Sequence, residues 1–331
     1  MIFHPVIIAL YASSVLICFI LLYSLWYAVQ VLRRWDIQSG SELQLALERR
    51  TYLISTLLTY VFAFELLSLF LYVFTADQLH TFFVGAMCAA GSLNVNSYGY
   101  PALILKLLNF LLVGLWLIMN STDNRAYDYA LIKKKYAALL FISPLIIAEL
   151  ILQTGYFLGL KPDIITSCCG SLFSTGATNL VSKMAIFRPG PTEAAFYASM
   201  ALVLVSAIYY CARGKGGYLL SSASVLAFVV SMVSIFSFIS LYFYELPTHH
   251  CPFCILQMDY GYVGYPLYLS LFGATISGTG VGMLMPFKKL DSLMGAVPAI
   301  QKKLALISLI LFCMFLAIAT WGMLFSNLVL D

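Results

Sequence analysis

Charge is scarce in this chain. Only 10% of its 331 residues are Asp, Glu, Lys or Arg, against 62% that are hydrophobic. A soluble domain carries roughly 25% charged and about 45–50% apolar residues, so a water-solvated globule is excluded as the class. The net charge of +4 is small and dispersed, which leaves no basic face for nucleic acid. No Cys-x-x-Cys-His occurs, so covalent haem is not expected. None of the four histidines falls inside an apolar run, which argues against haem b held by two histidines of this chain. Phosphate loops and dinucleotide fingerprints are also missing, so any work has to draw on redox chemistry, a gradient or a partner. The longest gap between apolar runs, Gly159 to Thr192, is too short for a soluble domain with its own core.

Long apolar runs are what the chain has instead. A span needs roughly 20 apolar residues, and the sequence predicts spans near 5–32, 52–75, 101–119, 137–159, 193–212, 218–244, 264–286 and 304–326. The expected fold is all-α: a polytopic transmembrane helical bundle of about eight spans, one integral membrane domain over 1–331, with the lipid bilayer as its first partner. The first run is apolar from Pro5 to Val31, longer than a signal-peptide core, and no Lys or Arg precedes it. It reads as a spanning helix.

The basic residues set the expected orientation. Arg33, Arg34, Arg49 and Arg50 flank the first connection. Arg125 with Lys133, Lys134 and Lys135 flank the third, Arg213 and Lys215 the fifth, and Lys288, Lys289, Lys302 and Lys303 the seventh. The alternate connections hold only Lys161, Lys183 and Arg188. The positive-inside rule makes the first set cytoplasmic. The expectation is a multi-pass plasma (inner) membrane protein with both termini outside.

That orientation sorts the reactive residues. His4, His80, His249 and His250 all fall on the outer side, as do Cys88, Cys168, Cys169, Cys251 and Cys254. Cys18, Cys211 and Cys313 lie within spans, where a thiol behaves as a small hydrophobe. Three outer connections share a pattern. Cys88-Ala-Ala-Gly-Ser-Leu93 is matched by Ser167-Cys-Cys-Gly-Ser-Leu172, and Cys251-Pro-Phe-Cys-Ile-Leu256 can be laid over both. Glu65-Leu66 with Tyr72 matches Glu149-Leu150 with Tyr156, and Tyr98-Gly-Tyr-Pro101 resembles Tyr260-Gly-Tyr-Val-Gly-Tyr-Pro266. A helical-hairpin repeat would gather three outer loops over one bundle.

The sharpest motif is Thr248-His-His-Cys-Pro-Phe-Cys254. Pro252 suits the first turn of a helix, which would set Cys251 at a helix N-terminus where the dipole and the adjacent imidazoles favour a thiolate. A second thiol three residues on is what disulfide exchange needs. Cys-Pro-aromatic-Cys resembles the redox motif of the thioredoxin and glutaredoxin families. Within a membrane bundle it resembles the disulfide-bond oxidase and vitamin K epoxide reductase families. That resemblance implies a membrane thiol–disulfide oxidoreductase with Cys251 and Cys254 as the exchanging pair and Cys88, Cys168 and Cys169 as shuttle cysteines. It also implies a quinone or quinone-like substrate and an extracytoplasmic redox protein as partner. The residues themselves leave two other readings open. Thiolates and imidazoles suit a soft metal, Zn or Cu(I), held by His249, His250, Cys251 and Cys254. A structural disulfide is the third.

Two more features complete the candidates. Glu65, Glu149 and Lys106 fall inside spans, where ions pair or line a proton or ion route. Tyr260, Tyr262 and Tyr265 suit an interfacial belt, with quinone contact as the functional alternative. The rival functions are a metal or small-solute transporter, using the carboxylates and the thiol cluster, and a non-catalytic membrane subunit of a larger, respiratory complex. The glycines 273, 278, 280 and 282 predict close helix packing.

Overall fold

The computed structural model describes residues 5–161, 165–166, 189–247 and 249–328, and every regular element among them is helical. Among the described residues eight helices are long and apolar enough to cross a membrane. They are α1 (Pro5–Arg34), α2 (Glu42–Leu79), α4 (Gly99–Asp123), α5 (Ile132–Leu158), α6 (Pro189–Arg213), α7 (Gly217–Tyr244), α8 (Gly264–Met283) and α9 (Ala296–Phe325); a short α3 (Ala89–Leu93) precedes α4.

Their ends depart from the sequence expectation where helix outlasts hydrophobicity. Helix α2 starts at Glu42 and not near residue 52. Ser41-Glu-Leu-Gln44 is a capping-box sequence, and the Gln44 amide donates to Ser41 Oγ at 3.3 Å. The charged turn through Arg50 is therefore helical although it is not apolar. Helix α4 runs on to Asp123. Helix α9 begins at Ala296, with Pro298 in its first turn, where a missing N–H costs nothing.

The chain divides into two compact units. The first holds α1, α2 up to Ala76, α4, α5 and the segment Phe287–Val297. Helix α5 packs on both α1 and α4. Phe62 meets Trp116 edge-on at 4.9 Å, and Tyr72, Tyr156 and Phe157 form an aromatic cluster. Polar groups bridge the helices inside it. Lys135 Nζ lies 2.6 Å from Asp123 Oδ2, 3.1 Å from Asn120 Oδ1 and 3.3 Å from Ser55 Oγ.

The second unit holds the segment Asp77–Ser92 with α6, α7, α8 and the body of α9. Helix α7 packs on both α6 and α8. Close approach of α7 and α8 depends on glycine: a Cβ at Gly282 would strike the Ser221 side chain, and one at Gly278 would strike Ser224. Ser308 and Gln301 of α9 donate to the Ala274 and Val281 carbonyls at 3.0 and 2.8 Å. A π-helical turn, Ile235–Ile239, interrupts α7. In both units large apolar side chains face outward, among them Phe19, Tyr60, Val205 and Leu324. Water solvates such a surface poorly and hydrocarbon does not.

Candidate functional site

Beyond the end of α7 the chain must turn back to start α8. Glu245 adopts a left-handed conformation at φ 54°, which ends the helix. The returning segment carries both cysteines of Cys251-Pro-Phe-Cys254. No helix begins at Pro252: the segment is irregular as far as a single 3-10 turn, Cys254–Leu256. The expected helix dipole at Cys251 is therefore absent, since one short turn aligns too few peptides to build one.

Tyrosine hydroxyls hold this segment in place. Tyr244, in the last turn of α7, donates its hydroxyl to the Cys251 carbonyl and accepts the Ile255 amide at 3.0 Å. Tyr268 of α8 donates to the Pro252 carbonyl at 2.7 Å. The backbone on each side of the cysteines is thus bonded to helices, and its buried polar groups are satisfied.

The segment after α2 meets it. Gln257 Nε2 donates to Asp77 Oδ1 at 2.9 Å and to the Met87 carbonyl at 3.0 Å, while Asp77 Oδ1 also accepts the Ala89 amide at 3.2 Å. One side-chain amide and one carboxylate therefore tie the Cys88 loop to the Cys251 loop. Cys88 Sγ lies 3.5 Å from Cys251 Sγ, and the sulfurs of Cys88, Cys251 and Cys254 all lie within 4.8 Å of one another. All three cysteines are buried. The connection after α5 reaches the same place. Thr166 donates its amide to the Val84 carbonyl at 3.0 Å, and Gly85, at φ 87°, passes so close to Thr166 that no side chain fits there. Cys168, Cys169 and His4 lie outside the described residues.

The two adjacent histidines part company. His249 Nε2 sits 3.4 Å from Cys254 Sγ, and its ring meets Tyr244 edge-on at 4.5 Å. Burial pushes the His249 imidazole below the usual histidine range, His250 adds to that, and Cys88 opposes it. A neutral imidazole beside a thiol is a proton acceptor. His250 instead uses Nδ1 to donate to the Phe236 carbonyl at 2.9 Å, within the π turn of α7. That bond serves the fold and leaves His250 outside the sulfur cluster. His80 bonds back to the Asp77 carbonyl.

Chemically, the cluster suits two uses. Cys88 Sγ and Cys251 Sγ are already in van der Waals contact, the approach that precedes closure to an S–S bond of about 2.05 Å. Three thiolates around a metal at about 2.3 Å would also stand within 4 Å of each other, so Cys88, Cys251 and Cys254 fit a soft metal, with His249 at the edge beside Cys254. No family model, no curated protein and no solved structure matches this chain. The site's chemistry therefore stands on its own geometry.

The remaining candidates fall in place as follows. Tyr260 packs edge-on against Tyr244 at 4.8 Å, Tyr262 is exposed at φ 56°, and Tyr265 sits in the first turn of α8. Lys106, only 2% exposed, is not drawn out to water: it pairs with Glu149 at 2.5 Å. The sequence reading missed Asp77 and Gln257. The only hint at Asp77 was a carboxylate at the end of an apolar run, and Gln257 gave none.

Proposed function

We propose that this chain is a multi-pass plasma-membrane protein with both termini outside, and that its outer-face cysteines carry thiol–disulfide exchange. The single observation behind the exchange is the meeting of three sulfurs from two separate loops within 4.8 Å. Cys251 can pair with Cys88 across the loops or with Cys254 along its own. With Cys88 bonded to Cys251, His249 accepts the Cys254 proton. The Cys254 thiolate attacks Cys251 Sγ, the Cys251–Cys254 bond forms, and Cys88 leaves as a thiolate. The exchange is redox-neutral; the two electrons and two protons lost when the Cys88–Cys251 disulfide first forms go to a quinone-class oxidant, which leaves as the quinol, or to the disulfide of an outer redox protein, which leaves as a dithiol. Burial of all three thiols favours the small apolar partner. The basic residues at alternate connections support the orientation.

The α2–α4 and α7–α8 hairpins are, on this reading, copies of one unit. Helices α4 and α8 both open with Gly-Tyr-Pro. The opening glycine of each, Gly99 or Gly264, abuts the leucine five residues after the loop's first cysteine, Leu93 or Leu256.

The His249–Cys254 contact favours one second reading, a soft-metal centre. Differential alkylation and metal analysis of the purified protein separate the two. In the exchange reading, Cys254→Ser accumulates a Cys88–Cys251 disulfide, Cys88→Ser accumulates Cys251–Cys254, and both variants are metal-free. Near-stoichiometric Zn or Cu in the wild type, lost in either variant, selects the metal. Thiols that stay reduced and metal-free in membranes given excess quinone would sink both.

A further inference from the structure

The first unit carries a second buried cluster, on residues that the thiol chemistry leaves unused. Helix α2 contributes Glu65 and Ser68, α4 contributes Lys106 and Asn109, and α5 contributes Glu149. Lys106 Nζ lies 2.5 Å from Glu149 Oε1 and 3.2 Å from Ser68 Oγ, and Asn109 Nδ2 donates to Glu149 Oε2 at 2.6 Å. Glu65 stands three residues before Ser68 on the same helical face, which places a second buried carboxyl beside this pair. Glu65, Lys106, Asn109 and Glu149 are all 4% exposed or less.

Charge counting makes this cluster incomplete. Two carboxylates face one ammonium. The other titratable side chains turned toward them are Cys18 of α1 and Tyr72 of α2, a thiol and a phenol that are neutral at ordinary pH. With both carboxyls ionised the site would hold a net negative charge in a medium that charges several kcal/mol for one. A second observation points the same way. Asn109 Oδ1 is buried without a donor, although its own amide nitrogen is bonded to Glu149. The cluster has acceptors to spare and lacks one donor hydrogen.

We propose that Glu65, Lys106 and Glu149 form a proton-binding site in which the two carboxyls hold one proton between them. The proton comes from water when Glu65 is neutralised and returns to water when it ionises. Glu149 stays the counterion of Lys106.

The proposal fixes the number of protonated carboxyls in each variant. The wild type holds one. Glu65→Gln and Glu149→Gln each leave one carboxylate facing Lys106 and hold none. Lys106→Met leaves two carboxyls without a cation and holds two. The measurement is infrared spectroscopy of the purified chain in lipid nanodiscs, reading the protonated-carboxyl C=O stretch that shifts in heavy water. The band is expected in the wild type, lost in both Gln variants and about doubled in Lys106→Met, with helicity checked by circular dichroism. Should Lys106→Met fail to fold, the two Gln variants decide, since each keeps a neutral pair. A wild-type band that persists unchanged in both Gln variants overturns the proposal. So does a wild type without the band, and a melting temperature that then rises with sodium names the counterion as a metal cation.

Discussion

At the scale of single residues, His249 and His250 show what adjacency in sequence conceals. Both were expected beside the cysteines, and one serves the fold while the other touches Cys254 Sγ. The difference lies in where each ring lands after the turn at Glu245, which no motif encodes. His249 makes a pH prediction. Burial lowers its pKa from 6.5, so below that value the unfolded chain binds a proton that the folded chain resists. Its contribution is present above about pH 6.5 and is lost as pH falls through the lowered value. Thermal melts of the wild type should therefore weaken in mild acid more than those of His249→Gln; equal slopes in the two would refute the assignment. Asp123 and Lys135 mark the limit of residue reading. Lys135 reads in the sequence as one of the topology-setting charges of the third connection, yet it is buried and paired with Asp123, which the sequence reading did not single out, at 2.6 Å.

At the scale of elements, hydropathy picked out the eight long apolar helices among the described residues, because an apolar run of span length has few other stable conformations. It placed their ends less well, since Ser41-Glu-Leu-Gln44 continues α2 through polar residues and hydropathy is blind to capping. The connection from α7 to α8 was misread for the opposite reason. Pro252 permits a helix start without requiring one, and the bonds from Tyr244 and Tyr268 decide otherwise. The glycine stripe of α8 was legible, and its partners were not. Gly282→Ala should drive a methyl into Ser221 and cost about 1–3 kcal/mol, the usual price of overpacking. Adding Ser221→Gly should restore most of the loss in melting temperature, whereas no recovery would show that the two residues are not opposed. Helix α5 carries Pro144 in its interior, a position that no boundary rule could use.

At the scale of the whole molecule, orientation is the property that everything at the thiol site assumes. Exposed positions test it. Gln38 and Asp291 belong to connections assigned to the cytoplasm, and Met258, 75% exposed, belongs to one assigned outside. In intact cells an impermeant maleimide should label Met258→Cys above the parent's own background and leave Gln38→Cys and Asp291→Cys unlabelled until the membrane is opened. The reverse pattern would put the thiol cluster in the reducing cytosol and remove the case for exchange. The convergence of loops was partly legible: successive hairpins hold both ends of each loop at one face. What brings Cys88 to Cys251 is the Asp77–Gln257 bond, between residues 180 positions apart, and no local pattern reports a contact of that separation.

The phenol of Tyr244 has a kinetic consequence. Bonded to the carbonyl of one cysteine and to the amide just past the other, it fastens the irregular segment to the last turn of a long helix. Loops ordinarily rearrange over nanoseconds to microseconds, and side chains flip faster. With the backbone held on both sides of Cys251 and Cys254, the exchange proposed above needs rotation of side chains and attack of one sulfur on another, without rearrangement of that segment. The pace of that step is then set by thiolate availability and sulfur access, and the segment that carries Cys251 and Cys254 stays still.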